Sequence, residues 1–326
     1  MSKDSEYNFR GAPNPQKEWD DKVGLYEQHQ GEQGDEKRQG IYDLTVEELL
    51  VGVGGLKGKT VLDAGSSYGY WTIKLKNMGA REVYAIDSSP TAIEHAQMRD
   101  NSENVHFSVA DLTKSLPFKR NKFHVVVSNI VVDYIPTAGF SIMAKECYRV
   151  MRPGGSFILG IQHPTYHVAH HHQNELGLGG GDYTETTGYY DEGPIIKELM
   201  GIGKFTIYNK SIQSYMDLLQ HAGFEFAHFV EPKPSQEIAK DHPLYAYLPR
   251  FALFHFKKPK AERFFLFRAK NKLLEQELSN FEDTAGKELE GLNKKVEEIK
   301  SMYESLTELR AAKENFSKSE PEIDMY

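Results

Sequence analysis

The stretch Asp63-Ala64-Gly65-Ser66-Ser67-Tyr68-Gly69 constrains this 326-residue chain more than any other. It follows Lys59-Thr60-Val61-Leu62, which reads as a short buried strand, and precedes Tyr70-Trp71-Thr72-Ile73-Lys74-Leu75, which reads as a helix. A glycine-punctuated turn at such a junction lets backbone approach a ligand closely, with the helix N-terminus aimed at it. From residue 59 to 258 strands and helices alternate, the pattern of a doubly wound α/β sheet.

The spacing narrows the ligand. A dinucleotide fingerprint would place glycines at 65, 67 and 70. Here stand Gly65, Ser67 and Tyr70, and a bulky Tyr70 leaves a pyrophosphate no room. The pattern acid-x-Gly-x-Gly-x-Gly is met by Asp63, Gly65 and Gly69, with Ser67 as the one departure. Tyr68, Tyr70 and Trp71 bring π-faces toward a site suited to a cation. Glu82 to Asp87 reads as a second strand ending in a carboxylate, and Val105 to Leu112 as a third carrying Asp111 at its end. Asp87, with Ser88 beside it, is placed to accept both ribose hydroxyls of a nucleoside. Asp111 and Leu112 would then meet the adenine, and Asn129, ending the fourth strand Phe123 to Asn129, lines the same crevice.

With these features the chain resembles class I S-adenosylmethionine (SAM)-dependent methyltransferases, in particular the ubiquinone-biosynthesis-like group. The resemblance runs over about residues 17 to 257 and includes Glu146-Cys147-Tyr148-Arg149-Val150-Met151-Arg152-Pro153-Gly154-Gly155, a helix stop before a fifth strand, Ser156 to Ile161. It implies a Rossmann-like, doubly wound, seven-stranded sheet closed by an antiparallel hairpin, and SAM as cofactor. Residues 224–230 and 250–256 are the expected hairpin strands, after a helix over Ser211 to Ala222. Tyr26 and Arg38 match positions of the resemblance, and the guanidinium fork of Arg38 suits the SAM carboxylate. Many relatives carry a His-Arg pair where this chain has Asn209-Lys210, which suggests a changed acceptor.

Composition sets outer bounds. The net charge of −8 disfavours a nucleic-acid partner. A single cysteine, Cys147, rules out an intramolecular disulfide and fits a reducing, cytoplasmic setting. The N-terminal residues 1–10 are polar and lack a signal-peptide core, and no apolar run approaches a membrane span. The expected domains are an N-terminal helical cap (1–58), the SAM-binding domain (59–258) with a lid insertion at about 163–206, and a helical tail (259–326) with a disordered end. In the tail Leu278, Phe281, Ala285, Leu289, Leu292, Val296, Ile299, Tyr303 and Leu306 recur at three- and four-residue steps, a coiled-coil-like pattern. Such a tail either folds onto its own domain or assembles a homo-oligomer.

The reacting groups are expected beyond the fourth and fifth strands. His163 is the candidate general base, because histidine titrates near neutrality. Asp133 and Tyr134 are expected to face the acceptor. Residues 162–172 hold five of the thirteen histidines. His167 and His171 share a helical face at ligand-like spacing, yet no acid or second cysteine completes a zinc set. A solvated histidine-rich helix is the expectation, with no metal. Residues 163 to about 206 show no evident sheet element and are rich in glycine and tyrosine, as a substrate lid would be. The leading expectation is methyl transfer to O or N of a small-molecule metabolite, with no nucleic acid or membrane partner. A peptide, protein or activated-carbon acceptor stays open, as does a non-catalytic SAM-binding protein assembled through its tail.

Overall fold

Alternate residues of the central strands enter two different cores, and this organises the fold. Leu62, Ala64, Val126, Phe157 and Leu159 pack in one cluster, while Val61, Val125, Val127 and Ile158 pack in the other. Successive strand side chains point to opposite faces, so strands apolar at every position must be covered on both sides. The computed structural model describes residues 17, 19–22, 24–25, 42–167, 188–199, 202–241, 247–260, 276–277, 280–281, 284–301 and 304.

The chain order is α1 (Leu44–Gly52), β1 (Thr60–Ala64), α2 (Tyr70–Asn77), β2 (Glu82–Asp87), α3 (Pro90–Arg99), β3 (Val105–Val109) and β4 (Phe123–Asn129). A 3₁₀ turn (Val132–Tyr134) leads into α4 (Thr137–Val150) and β5 (Met151–Gln162). Then come β6 (Gly193–Leu199), β7 (Gly203–Asn209), α5 (Ile212–His221), β8 (Glu225–Val230), α6 (Gln236–Asp241) and β9 (Phe251–Lys257). Seven strands form one sheet in the order β3-β2-β1-β4-β5-β9-β8. Strands β1 to β5 run parallel, and β9 is antiparallel to both β5 and β8, as the resemblance implies. The α4 and α5 residues Phe140, Met143, Cys147, Tyr215 and Leu219 fill one core. Tyr42, Leu50 and Trp71, from α1, α2 and the chain before α1, fill the other. Cys147 is fully buried and burial pushes its thiol up to about 12, which makes it a small apolar residue in practice.

Two expectations are corrected. The segment after His163 does contain sheet: β6 and β7 form an antiparallel hairpin paired from Gly193↔Asn209 to Leu199↔Gly203. Its inward positions include Ile195 and the buried Lys197, so a polar residue sits where alternation demands an apolar one and the strand pattern is lost. The Arg152-Pro153-Gly154-Gly155 stretch is not a separate turn but the irregular start of β5, where the register slips between Phe123↔Met151 and Val125↔Ser156. Gly154 has φ +78, and a Cβ on Gly155 would lie 2.9 Å from two carbonyl oxygens, those of Arg152 and His124.

The chain divides into two compact units, 1–260 and 261–326. Within the second, 284–301 is one continuous helix, and Leu289, Leu292, Val296 and Ile299 are exposed on it. Leu278, Tyr303 and Leu306 lie outside the described residues. No described helix is long and apolar enough to cross a membrane.

One close approach locks the chain before α1 onto the sheet. The Tyr42 hydroxyl lies where a Cβ on Gly160 of β5 would be, only 1.6 Å away, and donates to Asn129 Oδ1 at 2.6 Å. Gly160→Ala is expected to cost about 1–3 kcal/mol through forced displacement of Tyr42. Tyr42→Phe, which removes only the hydrogen bond, should cost about 1 kcal/mol. Urea unfolding of the two variants measures both costs, and an unchanged midpoint for Gly160→Ala would show that the approach carries no packing constraint.

Candidate functional site

Chain order reverses between β1 and its neighbour β4, and crevices at such points hold ligands in open α/β sheets. The Gly65–Gly69 turn leaves the carboxyl end of β1 there, facing the chain after β4. A Cβ on Gly65 would lie 2.3 Å from a Val131 methyl, so only glycine lets the two segments meet. Gly65 (φ +86), Ser67 (φ +48) and Gly69 (φ +83) all adopt the left-handed region. Ser67 therefore keeps the conformation a glycine would supply at the one departing position, at some cost in strain. Ile130, on the opposing wall, is also left-handed at φ +54, uncommon for a β-branched residue.

Asp87 fixes this turn. Its Oδ2 accepts the Ser67 N–H at 2.9 Å and its Oδ1 accepts the Ser89 N–H at 2.9 Å. Burial raises its pKa, and hydrogen bonds from the backbone of Ser89, Ser67 and Ser88 pull it back. Asp63 sits one layer deeper and accepts from the Thr72 hydroxyl at 2.6 Å, so it braces α2 against β1. Asp111 closes its own turn, with Oδ1 accepting from Thr113 N–H and Oγ1 at 2.8 and 2.7 Å, while Oδ2 pairs with Lys114 at 3.1 Å. Leu112 is buried in the core beside it. Tyr70 and Trp71 turn away from the crevice: Tyr70 donates to Asp43, and the Trp71 ring packs near Tyr42. Tyr68 is buried with the Arg99 guanidinium over its ring at 5.0 Å. Tyr26 and Arg38 lie outside the described residues.

Three buried polar atoms around the crevice have no protein partner: Ser66 Oγ, Ser67 Oγ and Asn129 Nδ2. Buried groups of this kind are ordinarily satisfied, so a cluster of them marks a place made for a polar ligand.

The far side of the crevice is built on the β6–β7 hairpin. Trp19, Tyr134 and Phe205 pack together with centroids 5.2 to 6.2 Å apart. Beside Trp19, Asp20 accepts from the Ser89 hydroxyl and from Thr91 N–H at 3.2 Å, at the start of α3. Asp133 does not face this space. It is buried, with Oδ2 accepting Gln162 N–H at 3.1 Å and Oδ1 accepting the Tyr215 hydroxyl at 3.2 Å. The Lys210 ammonium donates to the carbonyls of Val132, Ile135 and Tyr208 at 3.0, 2.7 and 3.2 Å, and burial lowers its pKa to about 8. Asn209 Nδ2 donates to Asp191 O at 3.0 Å. Lys210 thus fastens the hairpin to the segment after β4, and Asn209 fastens it to the chain before β6.

His163, just past β5, is buried and has both ring nitrogens engaged. Nδ1 accepts from Thr165 N–H at 3.2 Å and lies 2.7 Å from the Thr165 hydroxyl, so the proton sits on Nε2, 3.0 Å from Glu231 Oε1. Burial lowers its pKa against the opposing pull of Glu231. Residues 164–167 form a helical turn and His167 is buried, not solvated as expected; His170, His171 and His172 lie outside the described residues. Among the described residues no three metal-ligating side chains cluster.

Comparison with known proteins matches residues 61–155 to the methyltransferase-domain family. Over these residues the chain is similar to methyltransferase domains. Over 106 residues it is 31% identical to a ribosomal protein L11 methyltransferase of Enterococcus faecalis, 31% of each chain. It thus spans about a third of the length of the curated relatives it matches. A putative SAM-dependent methyltransferase of Listeria monocytogenes superposes with TM-score 0.53 at 24% identity, over 63% of this chain and 92% of that one. A putative methyltransferase of Haloferax volcanii, solved with the Trm112 methyltransferase activator, gives TM-score 0.53 at 17% identity, over 76% and 100%.

The crevice suits the SAM that a methyltransferase domain would use: the left-handed turn admits close backbone approach, and the three orphaned atoms offer polar contacts. Sequence reasoning missed Asp20, Tyr42 and Glu231 as neighbours of the site. No local pattern flags them, because each meets its partner across many residues.

The buried Asp63 makes a pH prediction. Burial raises its pKa from 3.8 to about 7, helped by the nearby Asp87 charge and opposed by the Thr72 hydrogen bond. The folded state then holds a proton the unfolded chain releases, so this group's stabilising contribution is complete below about pH 4 and is lost as pH rises through 7. Asp63→Asn should flatten that loss in urea titrations of the ligand-free protein between about pH 5 and about pH 8. A decline as steep as the parent's would remove Asp63 from the account.

Proposed function

We propose that the whole protein transfers a methyl group from SAM to an oxygen or nitrogen of a small-molecule acceptor. The observation that carries the cofactor half is the pair of backbone N–H groups gripping Asp87, which hold a carboxylate at the mouth of the glycine turn. On this reading Gly65, Ser67 and Gly69 give backbone contact, and Asp87 and Ser88 take the ribose. Asp111 and Leu112 frame the adenine, while Asn129, Tyr26 and Arg38 meet the amino-acid end. When bound, SAM supplies an electrophilic methyl group on a sulfonium. The chain's own residues have chiefly to position the acceptor and exclude water.

The aromatic group Trp19, Tyr134 and Phe205 supports a compact acceptor with an apolar body. For a hydroxyl acceptor His163 is the proposed base. Glu231 holds Nε2–H, and an acceptor hydroxyl taking the place of the Thr165 hydroxyl would give its proton to Nδ1. Asp133 is a positioning residue, since both its oxygens tie the 3₁₀ turn to β5 and α5. A protein acceptor is the second reading, favoured by the relatives named for ribosomal protein L11. Incubation with labelled SAM separates the two: label in the small-molecule fraction supports the first, and label in the protein fraction the second.

Two variants test the residues. Asp87→Ala should weaken binding of S-adenosylhomocysteine by about tenfold or more in calorimetry while the unliganded protein still melts cooperatively. Unchanged affinity would remove Asp87 from the ribose site. His163→Gln should lower kcat by about 10²- to 10⁴-fold with cofactor affinity preserved. Parental turnover in that variant would rule out His163 as base.

A further inference from the structure

The sheet edge opposite the glycine turn holds a second concavity. It is a cleft of about 530 Å³ between the starts of the parallel strands, lined by Glu82, Tyr84, His106 and three cations, Arg81, Lys122 and Arg152. The five residues of β1 separate it from the turn, about 16 Å of strand.

Three cations converge here in a chain of net charge −8. None pairs with a carboxylate among the described residues. Arg81 Nη2 donates to Thr60 Oγ1 at 2.9 Å, and Arg152 Nε donates to Asn121 O at 3.2 Å. The Lys122 ammonium stands 3.3 Å above the Tyr84 ring centroid. The one acid lining the cleft, Glu82, is already paired with His106 at 2.6 Å.

His124 lies beside this group and adds a further constraint on its hydrogen bonding. Its Nδ1 accepts the Thr60 backbone N–H at 3.0 Å, while its Nε2 faces Arg152 Nη1 at 2.9 Å. A neutral imidazole has one acceptor nitrogen and one N–H, and a guanidinium has donors only. With Nδ1 accepting, Nε2–H and Arg152 set donor against donor. The Thr60 amide is fixed by β1, whereas Arg152 is exposed and can turn to a ligand. An anion seated between them would accept from both. Burial lowers the His124 pKa, and the Arg152, Arg81 and Lys59 charges lower it further, in keeping with a positive local potential.

We propose that this cleft binds the phosphate group of a small phosphorylated molecule, at a site separate from the methyltransferase crevice. Two guanidinium forks and an ammonium match a doubly charged, three-oxygen group better than a single carboxylate. The cleft volume is that of a small-molecule site and exceeds what one phosphate fills, which leaves room for an organic body along the Tyr84 and His106 rings, 4.5 Å apart.

Calorimetry in chloride buffer tests this with inorganic phosphate and with glycerol 3-phosphate, on the full chain and on Arg152→Ala and Lys122→Gln. The expected result is saturable one-site binding of both probes, weakened about tenfold or more in each variant. Binding of S-adenosylhomocysteine should be unchanged in the same variants, whose melting curves report that the fold is kept. The failure of this proposal and that of the methyltransferase reading are therefore scored by different ligands. No saturable heat below about 10 mM would overturn the site. So would parental affinity in both variants, or tight binding of an oligonucleotide lacking terminal phosphates that neither probe displaces.

Discussion

The grip of Asp87 on the backbone of Ser67 and Ser89 is the interaction on which the rest of the site depends. One carboxylate, buried at the end of β2, sets the turn after β1 and the start of α3 at once. Because its acceptors are met by backbone N–H groups, a charge can be held where burial alone would neutralise it. Ser67 is held left-handed (φ +48) within this grip, its amide donating to Asp87 at 2.9 Å. Strain at a non-glycine residue persists where the surroundings over-determine it.

A second buried polar clamp positions the opposite wall. Lys210 gathers three carbonyls, and Asp133 links the 3₁₀ turn to β5 and α5. The charges of Asp133 and Lys210 favour one another among apolar aromatic packing, with Lys197 also near Asp133 and Glu192 near Lys210. The hairpin and its aromatic group are held rigidly against the crevice by this means. The Asn209-Lys210 pair, which in the sequence suggested a changed acceptor, acts as a fastening.

Much of the architecture was legible because its signals are local. Strands buried on both faces read as unbroken apolar runs such as Val125-Val126-Val127, and Pro or Gly marks the ends of helices. The β6–β7 hairpin escaped notice because buried Lys197 breaks the alternation on which strand recognition rests. Asp87 read correctly as a strand-end acid set against the glycine turn. Asp133 read as an acceptor-facing residue, since a carboxylate after β4 carries no sequence mark of the Tyr215 and Gln162 groups that enclose it.

By itself the sequence determined the alternation of strands and helices, the glycine turn and its acids, and hence the family of ligand. These follow from residue periodicity and backbone preference, which act over a few positions along the chain. Only the tertiary structure decided which polar atoms are spent on the protein and which remain for ligands. It fixed His163 between Thr165 and Glu231, orphaned Asn129 Nδ2, and set His124 against Arg152. Hydrogen-bond satisfaction is a property of three-dimensional neighbours, and those partners lie up to 68 residues apart in the chain.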